Sequence, residues 1–317
     1  MIKWWIGLWN HEESPIHMAI VRVLVSVILL WDLLEAAYLG VVQVLWSPPE
    51  VGGLPAQLLQ RPVVPEVYRL FPPETSTATG LYLATCFALL FFGLGIFTRV
   101  SGLVALLLYA QLAQILPLGD RGIDLMLRDI LCILIFSESG RALSMDAWRR
   151  TGRWLGDGVA VPAWPRHLMV LQLVVMYFMA GVQKTAITWT PLGHYNALYI
   201  VLQDPHIARF DFSWLERYWP LASLATMTTH IFEWTAPSVL LALHFRDTRD
   251  RPGRLRAFFN RYHVMHLWIF VGVLLHLGIA VTMNIGIFPW AMLALYPAFF
   301  HPDESKAALA WLRARRG

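Results

Sequence analysis

Charged side chains are scarce in this chain, 15% of its 317 residues, and cysteine occurs only twice. Soluble globular domains carry about 25% Asp, Glu, Lys and Arg, so a surface facing water on all sides is excluded. Cys86 and Cys132 both lie inside apolar runs, which indicates neither a disulfide framework nor a cysteine metal site. No GxSxG, P-loop or dinucleotide fingerprint occurs, and neither does HExxH or HxxxH. The sequence grounds for a nucleophile-elbow hydrolase, a nucleotide-binding fold or a zinc hydrolase are therefore missing. His263 and His266 are three apart but fall away from the other polar positions, so no metal is expected. There is no internal repeat, no low-complexity segment and no loop long enough for a soluble domain. No small-residue cleavage site follows the first apolar run, which reads as a retained helix preceded by an interfacial segment containing Trp4 and Trp5.

What the chain has instead is 57% hydrophobic residues and 15 tryptophans. This composition identifies an all-α, multi-pass helical membrane protein. The net charge of +4 does not point to nucleic acid, because the basic residues fall in the gaps between apolar segments, where they set orientation in a membrane. Eight spans are expected, at 17–39, 80–97, 100–117, 122–138, 167–186, 219–245, 263–283 and 285–300. With the N-terminus cytoplasmic, 17 Lys and Arg fall in the inner segments and 5 in the outer ones, which predicts both termini inside. Two long outer loops, 40–79 and 187–218, are rich in Pro, Trp and Tyr, with apolar stretches too short to span. They read as interfacial or re-entrant segments able to roof a cavity. The tail ending ALAWLRARRG is a short basic amphipathic segment, so membrane lipids are the expected partners and nucleic acid is not.

Within the fifth span, MVLQLVVMYFMAGVQKTAITW at 169–189 carries Lys184. A charge at mid-membrane costs roughly 2.5 to 3.5 kcal/mol, which invites a functional reading. The competing reading is a lysine near a helix end that snorkels to the headgroups. Depth favours function. Asp32 and Glu35 are three apart in the outer half of the first span, and Asp124 with Arg128, four apart, lies near the outer end of the fourth. His230 and Glu233 are three apart in the sixth, and His276 sits in the outer third of the seventh. Five helices thus bring ionisable groups to one level, where Asp124 with Arg128 is the simplest ion pair and Asp32 a further partner for Arg128. His230 and His276 also fit satisfied core histidines. A lysine amine in a low-dielectric pocket works as a general base if no carboxylate is too close, whereas a neighbouring acid holds it charged. Ala180 and Gly181, one turn before Lys184, leave room for a flat, membrane-soluble ligand.

The run Tyr177-Phe178-Met179-Ala180-Gly181-Val182-Gln183-Lys184 resembles the Tyr-Phe-x-Ala-Gly-Val-x-Lys stretch of vitamin K-dependent gamma-carboxylase and of bacterial proteins sharing its horizontally transferred transmembrane (HTTM) domain. Arg22 and Asp32, LGIFTRVSG at 94–102, SMDAW at 144–148, Glu233 in FEWTA, and His276 followed by IGIF at 285–288 also match, so the resemblance covers nearly the whole chain. It implies that Lys184 is the base deprotonating vitamin K hydroquinone or menaquinol. Oxygen and carbon dioxide are then co-substrates, in an epoxidation coupled to glutamate carboxylation. His230, Glu233 and His276 become catalytic candidates, and Tyr177, Gly181, Asp32, Arg128 and Asp124 substrate-binding ones. The family's histidine at the start of the fourth helix is replaced by Gly122-Ile123-Asp124. The full carboxylase also continues into a lumenal region that takes part in holding its protein substrate, so carboxylation of a separate protein or peptide substrate would call for a partner that supplies that region. The alternative is a non-enzymatic transporter or assembly factor for a small solute or lipid, using the same polar cluster as a binding site. The expected location is a bacterial cytoplasmic membrane, with the site near the outer leaflet.

Overall fold

A computed structural model describes residues 11–54 and 65–301; the tryptophan-bearing N-terminal segment, Arg61 and the basic tail lie outside the described residues. Helices of eight residues or more are α1 (Ile16–Tyr38), α2 (Thr75–Leu94), α3 (Thr98–Ile115), α4 (Gly122–Phe136), α5 (Trp164–Gln183), α6 (Trp219–Trp234), α7 (Ser238–Asp247), α8 (Arg254–Arg261), α9 (Val264–Thr282) and α10 (Phe288–Leu295). Sheet among the described residues is confined to one antiparallel pair, β1 (Glu12–Glu13) with β2 (Val161–Pro162). The all-α expectation holds, and the protein is an integral membrane protein.

Five helices, α1, α2, α3, α5 and α9, are long and apolar enough to cross a bilayer. Along α2 the outer face is unbroken hydrocarbon, with Leu83, Phe87, Leu90, Phe91 and Leu94 exposed as lipid-facing side chains. The other three expected spans correspond to shorter helices. At 1.5 Å per residue, the 15 residues of α4 extend only about 22 Å. The span drawn over 219–245 is two helices in the structure. Pro237 has no N–H to give and disfavours helix at the residue before it, so α6 ends at Trp234 and α7 restarts at Ser238. Pro289 is absorbed in the first turn of α10, where no N–H is needed.

The chain forms two compact units, one of residues 1–168 with 300–317 and one of residues 169–299, the boundary falling inside α5. In the first, α1, α2, α3 and α4 pack in sequence around Leu29, Leu89, Phe92, Ala105, Leu127 and Leu131, all essentially inaccessible. The tight α2–α3 turn needs Gly95, at φ +69°, whose backbone sits so close to Ser144 that a Cβ would overlap it. In the second, α6, α9 and α10 pack around Phe232, Trp268, Ile269 and Met292. The loop 187–218 is not free: Leu202, Phe212 and Leu215 cluster with Ala222 of α6, and Asn284 donates its backbone N–H to Ile207 at 2.7 Å. Backbone polarity near lipid is thereby paired within the protein.

Candidate active site around Lys184

Lys184 stands one residue past the end of α5, and its amine donates to Glu233 Oε1 of α6 at 2.6 Å. The amine also lies 5.0 Å from the centroid of the Trp189 ring, a cation–π distance. The side chains of Lys184 and Glu233 are only 21% and 10% exposed, so this pair is far better sheltered than a surface bridge. Glu233 Oε2 is buried and has no partner in the structure. A carboxylate oxygen left in that state costs on the order of 1–3 kcal/mol unless something donates to it. Oε1 of the pair is therefore satisfied and the buried Oε2 is not.

A local reason brings the two residues together. At Gly181 a Cβ would meet Glu233 Cβ at 3.0 Å, Trp234 Cδ1 at 3.2 Å and the Trp234 backbone nitrogen at 3.3 Å. Glycine lets α5 and α6 approach until lysine and glutamate touch. The expectation that Gly181 leaves room for a ligand is corrected: its open side is filled by α6. The condition that no carboxylate lie near the amine also fails: Glu233, on a neighbouring helix that sequence spacing could not position, is 2.6 Å away.

His230, one turn before Glu233, stacks parallel to Trp234 at 6.1 Å and meets Trp189 at 6.3 Å. Its Nδ1 is buried without a partner. Trp189 thus borders both Lys184 and His230, and with Trp234 it gives the pair flat aromatic surroundings. His276 lies in a different setting. Its Nε2 is 2.6 Å from the Tyr177 hydroxyl, which is 3.0 Å from the Tyr296 hydroxyl. Tyr177, His276 and Tyr296 are 4%, 1% and 3% exposed. Either hydroxyl can donate in the Tyr177–Tyr296 bond, and His276 Nε2 accepts or donates according to its tautomer, so the three side chains form one hydrogen-bonded relay. Tyr177 is seven residues before Lys184, roughly 10 Å along α5. It is enclosed by Phe232 and Trp268 at 5.1 and 5.4 Å, so in this structure it is a core residue.

The acidic positions of the first unit form their own network. Asp124 accepts from Arg121 Nε at 2.8 Å and from the Tyr109 hydroxyl at 2.8 Å, while Arg121 also donates to Asp32 at 2.6 Å. Arg128 makes a forked pair with Asp120, both bonds 2.7 Å. The expected pairs of Arg128 with Asp124 and with Asp32 are thus corrected. Helical side chains lean toward the N-terminus, so Asp124 and Arg128 both reach back, to Arg121 and Asp120. These groups border an open cavity of about 70 Å³. Arg121 and Tyr296 were missed as partners. The Arg121-x-x-Asp124 spacing at a helix start was an available sign of the first; nothing local marks Tyr296. No group of three or more potential metal ligands occurs among the described residues.

The family model described as the HTTM domain matches residues 10–303, nearly the whole chain. No curated protein and no solved structure matches it.

Proposed function

Because this chain belongs to the HTTM domain family, the domain of vitamin K-dependent gamma-carboxylase-like proteins, we propose that it is a membrane enzyme that deprotonates a quinol at Lys184. The observation that carries this reading is the Lys184–Glu233 contact at 2.6 Å beside a buried, unpartnered Glu233 Oε2. A phenolic hydroxyl of vitamin K hydroquinone or menaquinol supplies the kind of donor that Oε2 lacks, and its flat ring suits tryptophan neighbours. When bound, the quinol supplies the oxygen-dependent epoxidation that the family couples to glutamate carboxylation, with oxygen and carbon dioxide consumed.

The residues of this chain handle the first proton. The pair shares one ionising proton, present either as ammonium with carboxylate or as amine with carboxylic acid. Only the second form leaves a lone pair on Nζ. With the proton on Glu233 Oε1, the amine turns its single lone pair from Oε1–H to the quinol and takes the hydroxyl proton. The result is an ammonium beside the quinol anion, with net charge unchanged. Glu233 therefore holds the amine in position, and Trp189 stabilises the ammonium once it forms. The excess of Lys and Arg in alternate loops supports cytoplasmic termini and a site near the outer leaflet.

The test is oxygen-dependent epoxide from purified protein given vitamin K hydroquinone or menaquinol, for wild type and Lys184→Ala. Epoxide from wild type, lost by at least a hundredfold in the variant, is expected. Equal epoxide from both, or none from either, overturns the proposal.

A further inference from the structure

Three segments singled out in the sequence have no part in the Lys184 site: Arg22, LGIFTRVSG at 94–102 and SMDAW at 144–148. The first unit brings them together where α2 ends, α3 begins and α4 ends. Arg22 is fully buried and donates to the backbone carbonyls of Ser139 and Leu143. Asp146 accepts from the backbone N–H groups of Phe97 and Thr98 at 3.0 and 2.7 Å, which closes the start of α3. Beside them lies an open cavity of about 420 Å³.

Two of the arginines at this cavity are only weakly paired. Arg99, Arg141 and Arg150 line it, with Glu138 and Asp146 as the acids. Asp146 is occupied in capping α3, and Glu138 is shared between Arg141 and Arg99. Arg99 reaches Glu138 only at 3.4 Å, and Arg150 reaches Asp157 only at 3.6 Å, both beyond an ordinary N–H···O bond. Guanidinium N–H groups therefore remain available in a fork geometry that suits phosphate oxygens. Backbone strain gathers here as well. Of six non-glycine residues with positive φ among the described residues, Phe97 and Glu138 line the cavity, and Leu143 lies between lining residues Arg141 and Asp146. Such strain persists only where surrounding structure enforces it, as Arg22 and Asp146 do. At the mouth, Phe97 and Val100 are 67% and 63% exposed, an apolar edge beside the arginines at the end of two bilayer-length helices.

We infer that this cavity binds the phosphate of an anionic phospholipid headgroup, with Arg99, Arg141 and Arg150 on the phosphate and Phe97 and Val100 against the acyl chains. A phosphodiester without a cationic headgroup suits three arginines; a choline headgroup returns a positive charge to them.

The full chain, delipidated in detergent, is titrated with phosphatidylglycerol, phosphatidylcholine and inorganic phosphate, and bound lipid is counted by native mass spectrometry. Wild type is expected to bind one phosphatidylglycerol at least tenfold more tightly than phosphatidylcholine. The Arg99→Gln/Arg150→Gln variant, altered at exposed side chains that the fold does not need, should lose that preference. Glu138→Gln, which frees Arg99 and Arg141 from their shared acceptor, should tighten phosphatidylglycerol binding several-fold. Equal binding of the two lipids, or unchanged affinity in both variants, overturns the inference. Inorganic phosphate that competes as tightly as the lipid overturns the lipid source and assigns the site to a soluble anion.

Discussion

The tightest demand in the Lys184 site is the approach of α5 to α6 at Gly181, and Gly181→Ala puts it under test. The added methyl would sit 3.0 Å from Glu233 Cβ and 3.3 Å from the Trp234 backbone nitrogen, and a backbone atom cannot swing aside. The helices must part by a few tenths of an ångström. Overpacking of this kind costs about 1–3 kcal/mol. Alanine recovers roughly 1 kcal/mol of helix propensity over glycine, so net destabilisation of about 0–2 kcal/mol is expected. The larger consequence is geometric. A misplacement of 1 Å costs on the order of a hundredfold in rate, so about 0.3 Å between Nζ and Oε1 should lower epoxide turnover roughly fourfold. Gly278→Ala is the control, since no atom lies within 4 Å of its added methyl and α9 should gain up to about 1 kcal/mol. Thermal unfolding in detergent and epoxide formation are measured on both variants. If Gly181→Ala is stabilised as Gly278→Ala is, with turnover unchanged, the close approach does not govern the site.

Two further predictions concern groups outside the amine–carboxylate pair. Tyr177→Phe removes the hydroxyl between His276 and Tyr296 and leaves both without a partner at that point, at a cost of about 1–3 kcal/mol; a loss below about 0.5 kcal/mol in thermal or denaturant unfolding would show that the relay is not formed. Arg121→Gln strips Asp124, 3% exposed, of its guanidinium; because Arg121 is itself 40% exposed and Asp124 keeps the Tyr109 hydroxyl, a destabilisation of about 1–3 kcal/mol is expected. Asp124→Asn in the same background should restore part of that loss, and additive effects of the two changes would contradict the direct pair.

Much of this protein was legible in one dimension because a bilayer imposes a one-dimensional rule: apolar length sets a crossing, and charge between crossings sets orientation. The helices α1, α2, α3, α5 and α9 follow from that rule, as do the membrane setting and the choice of Lys184 as the residue to explain. Its place in a Tyr-Phe-x-Ala-Gly-Val-x-Lys run identified the family before any contact was known. Pairing was not legible. Spacing along a helix says which residues share a face, but not which way a side chain leans or which helix lies opposite. Arg128 therefore took Asp120 instead of Asp124, Gly181 became a contact instead of a space, and Lys184 met a carboxylate where an isolated amine was one of the two readings. Tyr296 reaches Tyr177 across 119 residues, and Arg22 reaches carbonyls more than a hundred residues away. Such contacts exist only after the helices have packed, because it is the packed helices that remove water and limit each buried polar group to the partners beside it.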